Sequence, residues 1–111
     1  MFEKDLKMSY LLDFYGDLLT ERKKEVMDMY YNEDLSLAEI ADQIGISRQG
    51  VRDLIKKAEE ELTFFEEKLG LAYKMRALKS HASNLTSIAQ DTSLSPALLK
   101  EIEEIVKIVN N

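Results

Sequence analysis

Between positions 48 and 56 stand the side chains best suited to chemistry with another macromolecule: Arg48, Gln49, Arg52, Asp53 and Lys56. A guanidinium matches the guanine edge or a phosphate, a glutamine amide pairs with adenine, and an ammonium suits the nucleic-acid backbone. Asp53 is the discordant member, able to accept from a cytosine amine but unfavourable close to phosphates. At about 100° per residue all five fall within one polar arc of roughly 140°. Val51, Leu54, Ile55, Ala58 and Leu62 occupy an opposing arc of about 100°, suited to a core. One helix therefore carries a packed face and a face of long hydrogen-bonding groups. Taken alone, that polar face fits groove contact, a protein partner or plain solvation.

The elements that must position it lie just upstream. Ser36 to Ala58, SLAEIADQIGISRQGVRDLIKKA, reads as a helix-turn-helix. Ser36 and Glu39 have the spacing of a capping box, and Ser47 is placed to cap the second helix. Gly45 can adopt the left-handed conformation that ends the first helix at the elbow. Ile40, Ile44, Ile46, Val51 and Leu54 supply apolar spacing, and Ala41 is small where helices approach. The second helix of such a unit commonly enters a DNA major groove. Ser47, Arg48, Gln49, Arg52 and Lys56 are thus the candidate DNA-contacting residues.

Charge shapes this reading. The chain of 111 residues carries a net −6. Residues 1–44 hold 5 basic and 11 acidic groups, whereas Arg48, Arg52, Lys56 and Lys57 against Asp53 make residues 45–58 a +3 island. Five glutamates and Lys68 return residues 59–69 to −4, and residues 70–111 add +1. Phosphate neutralisation supplies most non-specific affinity, so general DNA binding is expected to be weak. A specific reader using two half-sites fits such a chain, as does a module that docks on a basic protein.

Other chemistries find little support. With 0 cysteines there is no disulfide, thiolate metal site or cysteine nucleophile, in keeping with a reducing cytoplasm. His81 is the single histidine and reads as a surface residue. Glu59, Glu60, Glu61, Glu66 and Glu67 read as a solvated face, because neighbouring helical carboxylates point apart. The 4 glycines are isolated, so no phosphate-cradling loop exists. The expectation is a non-enzyme with no cofactor and no metal. The N-terminal MFEKDLKMSY lacks an apolar signal core, and no run approaches the roughly 18 apolar residues of a membrane span. A cytoplasmic location without membrane contact is the expectation.

The whole chain reads as all-α. Met8, Leu11, Leu12, Tyr15, Leu18 and Leu19 show helical spacing with a break at Gly16-Asp17. Thr20 caps a helix from Glu21 to Tyr31 whose Val26, Met27 and Tyr30 face inward, and Phe14, Tyr15, Tyr30 and Tyr31 read as packing. Asn32-Glu33-Asp34 is a polar connection. The motif's second helix has no stop signal before about Lys68, and Gly70 is the first break. A further helix is expected from Leu71 to about Gln90. After a polar loop, Ser95-Pro96 marks a helix start, and Leu98, Ile102, Ile105, Val106 and Val109 form a stripe to about Val109. The expected organisation is a helix-turn-helix domain with supporting helices over 1–68 and a helical extension over 69–111. Leu62, Phe65, Leu69, Leu71, Tyr73, Met75 and Leu78 exceed what the motif buries, so the extension packs on the domain or on a second protomer. A homodimer is expected, which would pair two recognition helices. Phe64 lies on the polar side, open to a contact or to a core role.

Over about residues 19–62, LTER followed by SLAEIA and GISRQGVR resembles region four of bacterial sigma factors. That likeness implies reading of a promoter element through Arg48, Gln49, Arg52 and Lys56. The remainder of a sigma factor is missing. SYLLDFYGDLLT combined with SLAEIADQIGISRQGVRD resembles the YlxM family of small bacterial helix-turn-helix proteins over nearly the whole length. This resemblance implies a cytoplasmic regulator or accessory factor tied to the signal recognition particle pathway. It leaves open whether such a protein acts on DNA or docks on the particle, its RNA–protein complex or its targeting GTPase. It implies no catalytic residues.

Overall fold

A computed structural model describes residues 6–111. Residues 1–5, part of the stretch read as lacking a signal core, lie outside the described residues. Six α-helices follow one another: α1 (Leu6–Tyr15), α2 (Glu21–Tyr31), α3 (Leu37–Ile44), α4 (Arg48–Leu69), α5 (Leu71–Asp91) and α6 (Pro96–Val109). Among the described residues there is no strand. The chain divides into two compact units, one ending at Gly70 and the other spanning Leu71–Asn111.

In the first unit α4 is the hub, touched by α1, α2 and α3. Val51, Ile55, Ala58 and Leu62 recur on one face of this helix and are buried, with Leu54 half-buried at the margin. They meet Leu11, Leu12 and Tyr15 of α1, Val26, Met27 and Met29 of α2, and Ile40 and Ala41 of α3, all buried. Burial of such side chains contributes on the order of 1.5–3 kcal/mol each before conformational entropy is counted.

Local chemistry fixes the ends of these helices. The Thr20 hydroxyl accepts from the Lys23 amide at 3.4 Å and starts α2. At α3 the Ser36 hydroxyl accepts from the Glu39 amide while the Glu39 carboxylate accepts from the Ser36 amide, both at 3.1 Å. Gly70 ends α4 at φ 62°.

Three apolar assignments depart from helical spacing. Leu18 is 61% exposed, because α1 gives way to a tighter 3₁₀ turn over Gly16–Leu18 that rotates the side chain outward. Leu19, in extended backbone beyond it, is buried. On α2, Met29 is buried while Tyr30 is half-buried, since α2 touches both α3 and α4 and therefore needs a wider apolar arc. Tyr30 stands edge-on to Tyr31, ring centroids 5.1 Å apart.

The second unit is a helical hairpin of α5 and α6 joined by a short loop. Ser95 caps α6 by accepting from the Leu98 amide at 3.2 Å, with Pro96 at the first helical position. Ala72, Ala82 and Val109 are its buried residues. The face α6 packs is Leu99, Ile102, Val106 and Val109; Leu98 and Ile105, expected in the packed stripe, are exposed. α6 is apolar on two adjoining faces, and spacing alone does not tell which one meets α5.

Candidate nucleic-acid interface

The elbow between α3 and α4 is set by backbone geometry. Gly45 sits at φ 74° and its amide donates to the Ala41 carbonyl, closing α3. A Cβ there would meet nothing within 4 Å, so the requirement for glycine is conformational and not steric. Ser47 then caps α4, its hydroxyl accepting from the Gly50 amide at 3.0 Å. The hydroxyl proton of Ser47 stays available to donate outward.

Beyond this cap, Arg48, Gln49, Arg52 and Lys56 are all solvent-exposed, so the structure brings the candidate residues onto one open surface. Arg48 to Lys56 spans about 12 Å along the axis, matching a major groove about 12 Å wide. The Gln49 amide donates to the Asp53 carboxylate at 3.0 Å. Asp53, discordant as a direct contact, thereby has a physical role: it holds the glutamine amide in one orientation across a helical turn.

The second half of α4 behaves differently, and here the solvated-face expectation is corrected. The Tyr15 hydroxyl donates to Glu66 at 2.7 Å, Lys23 pairs with Glu61 at 2.5 Å, and the Tyr31 hydroxyl donates to Glu59. These three glutamates are half-buried. Their carboxylates reach over the rim of the apolar seam to α1 and α2, which a rule about neighbouring residues on one helix does not address. Tyr15 and Tyr31, placed near that seam by their own helical spacing, were the available signal. Glu60 and Glu67 remain exposed.

Phe64 is 54% exposed, with the Lys68 ammonium 5.7 Å from its ring centre. It lies in an open depression of α4 with Lys56, Glu59, Glu60, Thr63 and Glu67. One wall of helix surface does not enclose a small substrate as a catalytic pocket does. His81 is exposed. Among the described residues, no group of three or more His, Cys, Asp or Glu side chains is placed to hold a metal ion, and no helix is long and apolar enough to cross a membrane.

Two capped helices meeting at a left-handed glycine, the second with an open polar face, define a helix-turn-helix protein. The chain belongs to the UPF0122 family, whose model, described as "helix-turn-helix protein, YlxM / p13 like", matches residues 2–108. That family is described by its fold motif and not by a reaction. A UPF0122 protein of Thermoanaerobacter sp. (strain X514) is 44% identical over 105 residues, covering 92% of this chain and 90% of the relative. One from Acetivibrio thermocellus is 40% identical over 111 residues, 95% of each chain. One from Shouchella clausii is 42% identical over 108 residues, 95% of this chain and 99% of the relative. The similarity thus spans both units.

Proposed function

We propose that this chain is a non-catalytic cytoplasmic regulator that reads specific DNA through the N-terminal half of α4, acting as a pair of chains on two half-sites. The observation that carries the reading is the coincidence of the +3 island with the open face of the capped second motif helix. Ser47 and Lys56 position the helix on phosphates, Arg48 and Arg52 reach guanine edges or phosphates, and Gln49, held by Asp53, addresses adenine. The acidic surface beyond Lys57 sets the docking direction, because Glu60 and Glu67 are repelled by the backbone that Arg48 approaches. With four cations in the island, the salt slope has a ceiling of about −3.6 per protomer, at 0.9 for each phosphate neutralised. Two half-sites offset that modest electrostatic term. The YlxM resemblance points to genes of the signal recognition particle pathway as the regulated set.

A second reading has its own support in the exposed Phe64 flanked by Glu60 and Glu67. Here the acidic part of α4 docks on a basic partner such as the particle's targeting GTPase or its RNA–protein complex. Fluorescence-anisotropy titration of a duplex from the chain's own operon promoter, at low and at physiological salt, separates the two. Saturable binding that exceeds binding to a scrambled duplex supports groove reading. No binding at low salt overturns it and leaves the protein-docking reading.

A further inference from the structure

The α5–α6 hairpin is a unit of about forty residues, a size at which a chain rarely buries enough to stand alone. Its buried residues, Ala72, Ala82 and Val109, include two alanines. Yet large apolar side chains of the hairpin remain exposed: Leu78, Leu85 and Ile88 on α5, and Leu98, Ile105 and Ile108 on α6. Their exposure runs from 37% at Leu85 to 72% at Ile108.

These positions are ordered. On α5, Lys74, Leu78, His81, Leu85 and Ile88 follow alternating steps of four and three, and fall within an arc of about 80°. On α6, Leu98, Glu101, Ile105 and Ile108 follow the same rule over a similar arc of about 80°. Each seam is rotated from the face its helix uses inside the hairpin, by about 80° on α5, where that face centres on Met75, Ala82 and Ala89, and by about 100° on α6, where it centres on Ile102 and Val106. A helix that meets two neighbours nearly at right angles is a helix of a four-helix bundle. The rotation has the same sense on both helices. Because the two run in opposite directions, it brings both seams to one side of the hairpin.

We infer that this side is the surface on which a second copy of the chain docks, hairpin on hairpin, to close a four-helix bundle. The six side chains leave on the order of 600 Å² of apolar surface open, at the upper end of what monomers tolerate. A standard interface removes about 800 Å² per partner, which these residues and their flanks supply. Charge selects the register. On the seams themselves α5 carries Lys74 and His81 and α6 carries Glu101, whereas Arg76, Lys79 and Glu103 lie on other faces of their helices. α5 of one chain therefore faces α6 of the other, because that pairing sets the Glu101 carboxylate against His81, a complement that α5 on α5 does not offer. In that antiparallel register Leu78 meets Ile105 of the second copy, Leu85 meets its Leu98, and His81 meets its Glu101.

This rests on and deepens the paired-chain reading, and it is measured without DNA. A dimer that binds no duplex fails the DNA reading alone, whereas a monomer removes the pairing and leaves groove contact by α4 to be judged by titration. Light scattering coupled to size exclusion should give twice 12.8 kDa for the full chain at tens of micromolar. Leu78→Glu and Ile105→Glu should each weaken association at least ~100-fold, since each buries unpaired charge in the seam. Their helicity by circular dichroism should hold, because both sites are exposed in the single chain. Leu18→Glu, on an exposed side chain of the other unit, should leave the mass unchanged. A chain that stays at 12.8 kDa at 100 µM (order of magnitude, well above typical micromolar affinities), or a dimer indifferent to both seam charges, overturns the proposal. Should either glutamate variant lose helicity, cysteines decide the matter, as the chain has 0 of its own. Oxidising an equimolar mixture of Leu78→Cys and Ile105→Cys should yield the mixed disulfide, whereas predominance of the two self-disulfides refutes the register.

Discussion

The two halves of α4 share one backbone and opposite fates. In the distal half, Glu59, Glu61 and Glu66 are taken up by Tyr31, Lys23 and Tyr15 on neighbouring helices. From Arg48 to Lys56 they face solvent, and the contact recorded between them, Gln49 to Asp53, stays within the face itself. The difference teaches where binding capacity resides. The distal half spends its carboxylates on rigidity, which lets the proximal half hold an ordered array of donors at the end of a fixed lever. Substitutions in the two halves should therefore separate stability from recognition.

The largest effect is expected in the distal half. Leu62→Ala removes a side chain with 0% exposure, so unfolding free energy should fall by about 2–5 kcal/mol in a urea titration. A loss below about 1 kcal/mol would mean that the seam under the pinned half is not the structural anchor. In the proximal half, Arg52→Glu should leave the urea midpoint nearly unchanged, as its side chain is exposed. Specific DNA affinity should instead drop by about 10- to 100-fold per half-site, the span of one or two lost charge-assisted contacts. Unaltered DNA affinity would dissolve the functional half of the comparison.

Much of this was legible in the residues. Caps, elbow and the exposed polar arc of α4 are local: Ser36 with Glu39, Gly45 and Ser47 act within four residues of their partners, so spacing reveals them. The carboxylate pins were not legible, because Tyr15 and Glu66 lie 51 positions apart and meet only once α1 has docked on α4. Likewise the choice between the Leu98–Ile105 and Leu99–Val106 faces of α6 depends on how α5 approaches, which periodicity does not encode. Asp53 was visible as a residue, but its role needed the observed bond to Gln49.

Ser47→Ala sits at the joint between lever and elbow, and its effect is intermediate. Losing the cap on the Gly50 amide should cost about 1 kcal/mol in stability. The same change should weaken DNA binding only a few-fold, a loss of order 1 kcal/mol from fraying of the turn that carries Arg48. Asp53→Ala sharpens the recognition side further. Removing a negative charge should tighten binding to scrambled duplex, while releasing the Gln49 amide should narrow the gap between specific and scrambled sequence. An unchanged ratio in competition titrations would show that Gln49 reads no base.

The smallest effect tests the elbow's first helix through pH. The Ser36 amide and then its hydroxyl, both hydrogen-bonded within the capping box, hold the Glu39 carboxyl below its ordinary value. A carboxylate that is more acidic in the folded state than in the unfolded chain stabilises the fold when ionised. That stabilisation is complete above the ordinary glutamate range and declines as pH falls through the folded value. Since Glu39 is exposed, the change should be a shallow slope in the urea midpoint below about pH 5. Glu39→Gln keeps an acceptor for the Ser36 amide but cannot titrate, so its share of the slope should vanish while the helix persists. An identical acid slope in both proteins would place the sensitivity at Asp17, whose carboxyl is lowered by its hydrogen bond to Lys24. Lys24→Met would then flatten the curve instead, shifting the acid-sensitive joint from the start of α3 to the turn that leads into α2.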